Sequence, residues 1–159
     1  MQSNSAAPIL VIGCGNAIRE DDAAGICAVE AVEAQAPAGV LCLTRHQLSP
    51  ELAEPISQAR AVVFVDARAD RLDQPVLVEP LQTDPSGAGL GHFGSGGSLL
   101  ALAEALYGHA PPAWLVTIPG ASFGFSTEMT DAGHAGAMEA AKRILGLLAE
   151  MAGVGSTEA

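Results

Sequence analysis

Apolar residues along the chain fall into runs of two kinds, and the two kinds alternate. Residues 8–12, 40–43, 61–65, 76–78 and 114–118 are short runs, mostly β-branched or aliphatic, and read as buried strands. Between them lie longer stretches with helical spacing. Residues 23–35 carry Ile26, Val29 and Val32 on one side. Residues 50–58 open with Ser49 as N-cap and Pro50 at the first helical position, where a missing N–H costs nothing. Residues 98–107 line up Leu99, Leu102, Ala103 and Leu106. Residues 131–151 space Met138, Ala141, Leu145, Leu148 and Ala152 at steps of three and four, with Gly153 as a stop.

Strand and helix in alternation predict a mostly parallel sheet covered on both faces, a three-layer α/β/α domain. One such domain spans residues 1–159, with 1–7 and 154–159 expected to fray. In open sheets of this kind ligands gather beyond the carboxyl ends of the strands, so chemistry belongs just after them. Residues 82–97 break the pattern: six glycines and His92 predict a mobile loop leading into the helix at Ser98.

Charge and composition narrow the function. Eighteen Asp and Glu stand against seven Lys and Arg, with no basic cluster to neutralise phosphates, which excludes nucleic acid as a partner. No apolar run reaches the roughly 18 residues of a membrane span. The polar, uncharged start lacks the features of a signal peptide, so a cytoplasmic protein is expected. Cys14, Cys27 and Cys42 form no CxxC pair and read as small buried hydrophobes.

Three side chains stand where chemistry is expected. The first strand runs into Gly13-Cys14-Gly15-Asn16 and then an acidic triplet, Glu20-Asp21-Asp22, at a helix start. The third glycine of a dinucleotide fingerprint is replaced by Ile18, and the acids stand where a pyrophosphate would sit, so no nucleotide cofactor is expected. Glu20 and Asp21 read as charges complementing a helix dipole, whereas Asp22 is open to either a capping or a chemical role. Asp66 follows a buried strand; it caps the next turn or, if it meets Asp22 across adjacent strands, needs a cation or a proton between them. His92 alone reads as a solvated loop residue. With the two acids it completes an oxygen and nitrogen ligand set that leaves positions open for water and a carbonyl. His46 reads as a surface residue or a further contact, and His109 and His134 as surface residues. No GxSxG elbow occurs, and Cys14 beside carboxylates is a poor nucleophile.

These residues resemble the hydrogenase maturation proteases. The opening Ile9-Leu10-Val11-Ile12-Gly13-Cys14-Gly15-Asn16 with Asp21-Asp22-Ala23-Ala24-Gly25 carries the likeness. Phe64-Val65-Asp66-Ala67, the His92 loop and Val116-Thr117-Ile118-Pro119-Gly120 follow in the family's order. The resemblance implies a twisted sheet of about five strands. It also implies an endopeptidase that removes the C-terminal extension of a nickel–iron hydrogenase large-subunit precursor after nickel insertion. Its metal-contacting residues map onto Asp22, Asp66 and His92, with nickel supplied by or sensed on the precursor and no organic cofactor. Two departures stand out: the acid at Asp22 is often Glu in the family, and Ser-Pro before and Gln-Leu after the loop His are replaced here by glycine-rich sequence. The alternative is a non-catalytic maturation chaperone that binds the precursor or its nickel; a third reading is a small-molecule hydrolase on the same kind of fold.

Overall fold

The structure, a computed structural model, describes residues 7–35, 37–86 and 95–157, with side chains described as far as residue 153. Five strands form one sheet: β1 (Ile9–Cys14), β2 (Val40–Arg45), β3 (Ala61–Arg68), β4 (Leu77–Pro80) and β5 (Ala113–Pro119). Their order is β2-β1-β3-β5-β4, with the first four parallel and β4 antiparallel to β5. The helices are α1 (Ala24–Ala34), α2 (Ala53–Gln58), α3 (Gly96–Tyr107) and α4 (Asp131–Thr157).

The unbroken apolar runs follow from burial on both faces. In β1 and β3, Val11, Val63 and Val65 point into one cluster with α1 and α4, while Leu10, Ile12, Val62 and Phe64 point into another with α2 and α3. Successive residues of a strand face opposite ways, so each cluster takes alternate positions and neither leaves room for a polar residue. The expected three layers are those observed.

The helix faces differ from the spacing expected. In α1 Val29 and Val32 are buried but Ile26 is only half-buried; Ala24, Gly25 and Ala28 complete the inner face. In α3 the buried stripe is Leu99, Leu100 and Ala103, with Leu106 at 62% exposure. In α4 it is Ala137, Ala140, Ala141, Ile144 and Leu148, and Met138 turns outward. Alanine lets α4 lie close on α1, and that close approach outweighs the burial of larger side chains nearby. Ser49 occupies the cap position but its hydroxyl bonds Glu51 Oε2 at 2.6 Å, and the first turn, Pro50–Leu52, is 3₁₀. Helix α3 begins two residues before Ser98, capped by Ser95, whose Oγ accepts Ser98 N–H at 3.1 Å.

Gly153 does not stop α4, which runs on to Thr157. Glycine disfavours a helix by about 1 kcal/mol relative to alanine and does not end one by itself. The glycine that does end one is Gly108, whose left-handed φ of 78° turns the chain out of α3 while its N–H bonds Glu104 O at 2.9 Å. The fraying expected at 154–159 is not seen as far as Thr157, which is still helical. Residues 1–6, 87–94 and 158–159, on which the rest of that expectation and the middle of the loop expected at 82–97 fall, lie outside the described residues.

Candidate active site

The site is set up by how the chain leaves β1. Gly15 N–H still bonds Arg45 O of β2 at 3.1 Å, and Asn16 then forms a turn, its Oδ1 accepting Ile18 N–H at 3.0 Å. Glu20 follows with φ 51°, a left-handed conformation that costs a non-glycine residue energy. Backbone bonds on both sides hold it: Glu20 N–H to Ser126 O and Ser126 N–H to Ile18 O. A 3₁₀ turn over Glu20–Ala23 delivers the chain into α1. The helix passes directly over the strand ends, since a Cβ on Gly25 would stand 2.7 Å from Val65 O and 2.9 Å from Cys14 O. Only glycine permits that approach, and it brings Asp22 onto the carboxyl ends of β1 and β3.

Asp66 meets it from the other side. It lies within β3, which runs on to Arg68, and not after the strand as the apolar run suggested. Pairing of β1 with β3 ends at Gly13 and Val65, one residue short of Asp66, while β5 continues beside it with Thr117. Asp66 therefore borders the crevice opened where β1 turns away. The chain leaves β1 towards β2 on one side and has β3 on the other, which makes this crevice the switch point of the sheet.

The two carboxylates have the same arrangement. Asp22 Oδ2 accepts Asn16 N–H at 2.8 Å, and Asp66 Oδ1 accepts Ala67 N–H at 2.8 Å. Neither second oxygen has a hydrogen bond among the described residues, and both side chains are only half-buried. Burial pushes the Asp66 carboxyl up to about 6; the Ala67 N–H pulls against this and the Asp22 charge adds to it. Cys14 senses the same field. Burial and then the Asp66 charge push its thiol to about 11, opposed by the Leu48 N–H and reinforced by Asp22. The thiol is protonated at neutral pH, its Sγ 3.7 Å from His46 O, and does not serve as a nucleophile. All three cysteines are half-buried, less enclosed than the expected core residues.

His92 lies outside the described residues. Among those described, no three His, Cys, Asp or Glu side chains converge as a metal site. The donor chemistry of the pair nonetheless fits a cation. A carboxyl whose proton affinity is raised by a neighbouring carboxylate, each of the two with an oxygen to spare, is the arrangement a divalent ion relieves. His46, His109 and His134 are exposed, and His46 borders a separate hollow with Gly15 and Arg45.

Asp21, the neighbour of Asp22, has a different task. It is fully buried and accepts Ala121 N–H at 2.7 Å, Ser122 N–H at 3.3 Å, Thr130 N–H at 2.8 Å and Thr130 Oγ1–H at 2.7 Å. Burial pushes its carboxyl up, but these bonds outweigh it and hold the group below the usual aspartate range. Thr130 in turn caps α4, its Oγ1 accepting Gly133 N–H at 3.0 Å. A Cβ on Gly133 would collide with the Asp21 carboxylate, so that position too requires glycine. Asp21 thus does not act on the helix that follows it; it ties the site loop to the start of α4, more than 100 residues along the chain.

Arg68 carries no signal in the sequence that singles it out. Only 6% exposed and without an ion pair among the described residues, it donates to six oxygens, including Gln74 O and Pro75 O at 2.6 Å and Thr117 O at 2.9 Å. It knits the 70–75 loop to the end of β5.

A cavity of about 510 Å³ opens beside Asp66 and Cys14. Its walls are Ile12, Phe64 and Leu115 from the sheet, with Leu48 and Leu81 beside them.

No family model matches the chain, and no curated protein does. Solved structures do. The chain is similar to the hydrogenase maturating endopeptidase HybD from E. coli, with 24% identity over 91% of this chain and 93% of that one, at a TM-score of 0.70. It is similar to the [NiFe] hydrogenase maturation protease HycI from Thermococcus kodakarensis KOD1, with 21% identity, coverage of 87% and 90%, and a TM-score of 0.68. HybD from the same genus and species gives 22% identity, coverage of 88% and 98%, and a TM-score of 0.64. Over nearly its whole length, this chain has the fold of those three proteins.

Proposed function

We propose that this chain is a hydrogenase maturation protease, an endopeptidase that removes the C-terminal extension of a nickel–iron hydrogenase large-subunit precursor once nickel is in place. The observation that carries the reading is the Asp22–Asp66 pair. Two carboxylates, each anchored by one backbone N–H, meet at the switch point of a sheet whose fold is that of the maturation endopeptidases named above.

In this reading the nickel arrives with the precursor, as part of the substrate. Asp22, Asp66 and His92 are the residues that contact it, the first two through carboxylate oxygens and the third through a ring nitrogen. A metal held there supplies Lewis acidity towards a carbonyl or water. The remaining work falls to the chain. Asn16 N–H and Ala67 N–H fix the two carboxylates in orientation. Asp66, its carboxyl pushed up to about 6 by burial, is ionised at neutral pH and so able to contact a cation. Protein–protein contacts with the precursor place one bond at this site. A cytoplasmic location accompanies the proposal, and no described helix is long and apolar enough to cross a membrane.

The test is the intact mass of a nickel-loaded large-subunit precursor before and after incubation with the chain. Loss of one C-terminal peptide is expected, and Asp66→Asn and His92→Ala should each abolish it while keeping the parent's circular dichroism. Normal processing by either folded variant removes that residue from the mechanism. A precursor of unchanged mass in stable complex with the chain would overturn the endopeptidase and leave a maturation chaperone.

A further inference from the structure

The cavity beside Asp66 is lined in part by uncovered apolar surface. Most large apolar side chains of the α2–α3 layer are fully buried, Leu10, Ile12, Leu52, Ile56 and Leu99 among them. Leu48, Leu81 and Leu115 pack against that layer yet remain half-buried, and all three face the same cavity. They come from three separate elements: the turn before α2, the residue after β4, and β5 itself. Half-covered leucines scattered over a surface need no explanation, but three converging on a concave space next to a functional carboxylate form a binding surface.

The charges around the cavity select among occupants. Among the described residues its ionisable lining groups are Asp66, Asp84 and the protonated Cys14, with no lysine or arginine. An acidic side chain would enter without a partner and against two carboxylates. A cationic one finds little: Asp84 is exposed at the rim and its Oδ1 accepts both Ser86 N–H and Ser86 Oγ–H, while Asp66 is committed to the reaction. An apolar side chain covers the three leucines and loses nothing. The volume, about 510 Å³, lies within the roughly 300–1,000 Å³ of small-ligand sites and accommodates one side chain with its flanking backbone.

We infer that this cavity is the specificity pocket for an apolar residue flanking the scissile bond, with Leu48, Leu81 and Leu115 as the side chains that select it. This rests on the endopeptidase reading and adds to it the class of residue the site accepts.

Two measurements on the full chain separate the inference from the reading beneath it. In the first, methyl-labelled protein is titrated with N-acetyl-leucine N-methylamide and, separately, with the aspartate equivalent. The leucine amide should shift the methyl signals of Leu48, Leu81 and Leu115, the aspartate amide should not, and Leu81→Trp, which fills the space from a half-exposed position, should abolish the shifts. In the second, the residue on each side of the mapped cut is changed in the precursor to Ala, Leu, Asp or Lys. On one side Leu should exceed Asp in processing rate by roughly tenfold or more, and Leu81→Trp and Leu48→Trp should each move the preference from Leu to Ala. If the chain cuts no precursor but the leucine amide still shifts the three leucines, the endopeptidase reading fails and the apolar site stands. If it cuts but the amide shifts nothing, or both Trp variants keep the parent's Leu-to-Asp ratio, or Lys is preferred over Leu, the pocket is overturned and the endopeptidase stands.

Discussion

Asp21 and Asp22 are adjacent in the chain and opposite in purpose. Asp21 is sealed in the structure with four hydrogen bonds to its carboxylate, which together hold it ionised. Asp22 and its counterpart Asp66 have one backbone bond each and stand at the edge of a cavity, with Asp66 made more basic by burial and by Asp22. A carboxylate whose acceptor capacity is filled is spent on the fold. One that keeps an oxygen in reserve, at an energetic cost, is available for chemistry.

Two isosteric substitutions test this contrast most severely. Asp66→Asn should abolish precursor processing yet leave the chain as stable as the parent or more so. A carboxyl whose folded value lies above its ordinary one contributes its full stability only below that ordinary value. The contribution disappears as pH rises through about 6, leaving a net cost at neutral pH. Removing the charge recovers on the order of 2 kcal/mol. Asp21→Asn should do the reverse. Its single amide oxygen cannot receive four donors, so stability should fall by on the order of 3 kcal/mol. Urea unfolding at pH 7 measures both changes. Equal losses from the two would erase the distinction.

The same contrast should be visible in acid. Asp21 has a lowered folded value, so its contribution is present above the ordinary aspartate range and is lost as pH falls through the folded value. The stability gap between parent and Asp21→Asn should therefore hold through mildly acidic solution and narrow only below about pH 4. The gap between parent and Asp66→Asn has the opposite sign and should begin to close earlier, once pH falls below about 6. Unfolding midpoints at stepped pH would follow both. A gap for Asp21→Asn that closes as early as that for Asp66→Asn would mean the carboxylate is not held by its four donors.

The centre of the sheet was legible because burial on both faces gives β1 and β3 unbroken aliphatic runs. The edge strands β2 and β4 were also located to within a few residues, but they are not the buried strands expected, since no residue of either is buried. Asp22 and Asp66 could be picked out because they terminate or follow those runs, where a charge needs a reason. The helix faces were less legible: alanines at 137 and 140 carry little hydrophobic weight in a sequence, and what favours them is the closeness of α1. Asp21 was assigned to the wrong helix and Arg68 to nothing, because their partners at Thr130 and at Gln74 to Pro75 meet them only after the chain has folded. A local signal existed for the first: Thr130 ahead of Asp131 is a strong N-cap residue, though nothing in it pointed back to Asp21.

The smallest effect is also the most discriminating. Thr130→Val keeps the shape of the side chain but removes both the cap to Gly133 N–H and the donation to Asp21 Oδ2. Losing a cap costs about 1 kcal/mol, and Ser95→Ala at the start of α3, which loses the cap to Ser98 N–H and a neutral contact with Ser98 Oγ but no bond to a charged group, should cost about that. Thr130→Val should cost about 1 kcal/mol beyond it, because its hydroxyl also donates to an ionised, buried acceptor. If that extra cost belongs to the Asp21 network, it should vanish in the Asp21→Asn background while the cost of Ser95→Ala is unchanged there. Residues in one hydrogen-bonded network couple, whereas distant ones add. A Thr130→Val penalty of equal size in both backgrounds would reduce Thr130 to an ordinary cap and leave Asp21 held by its backbone donors alone.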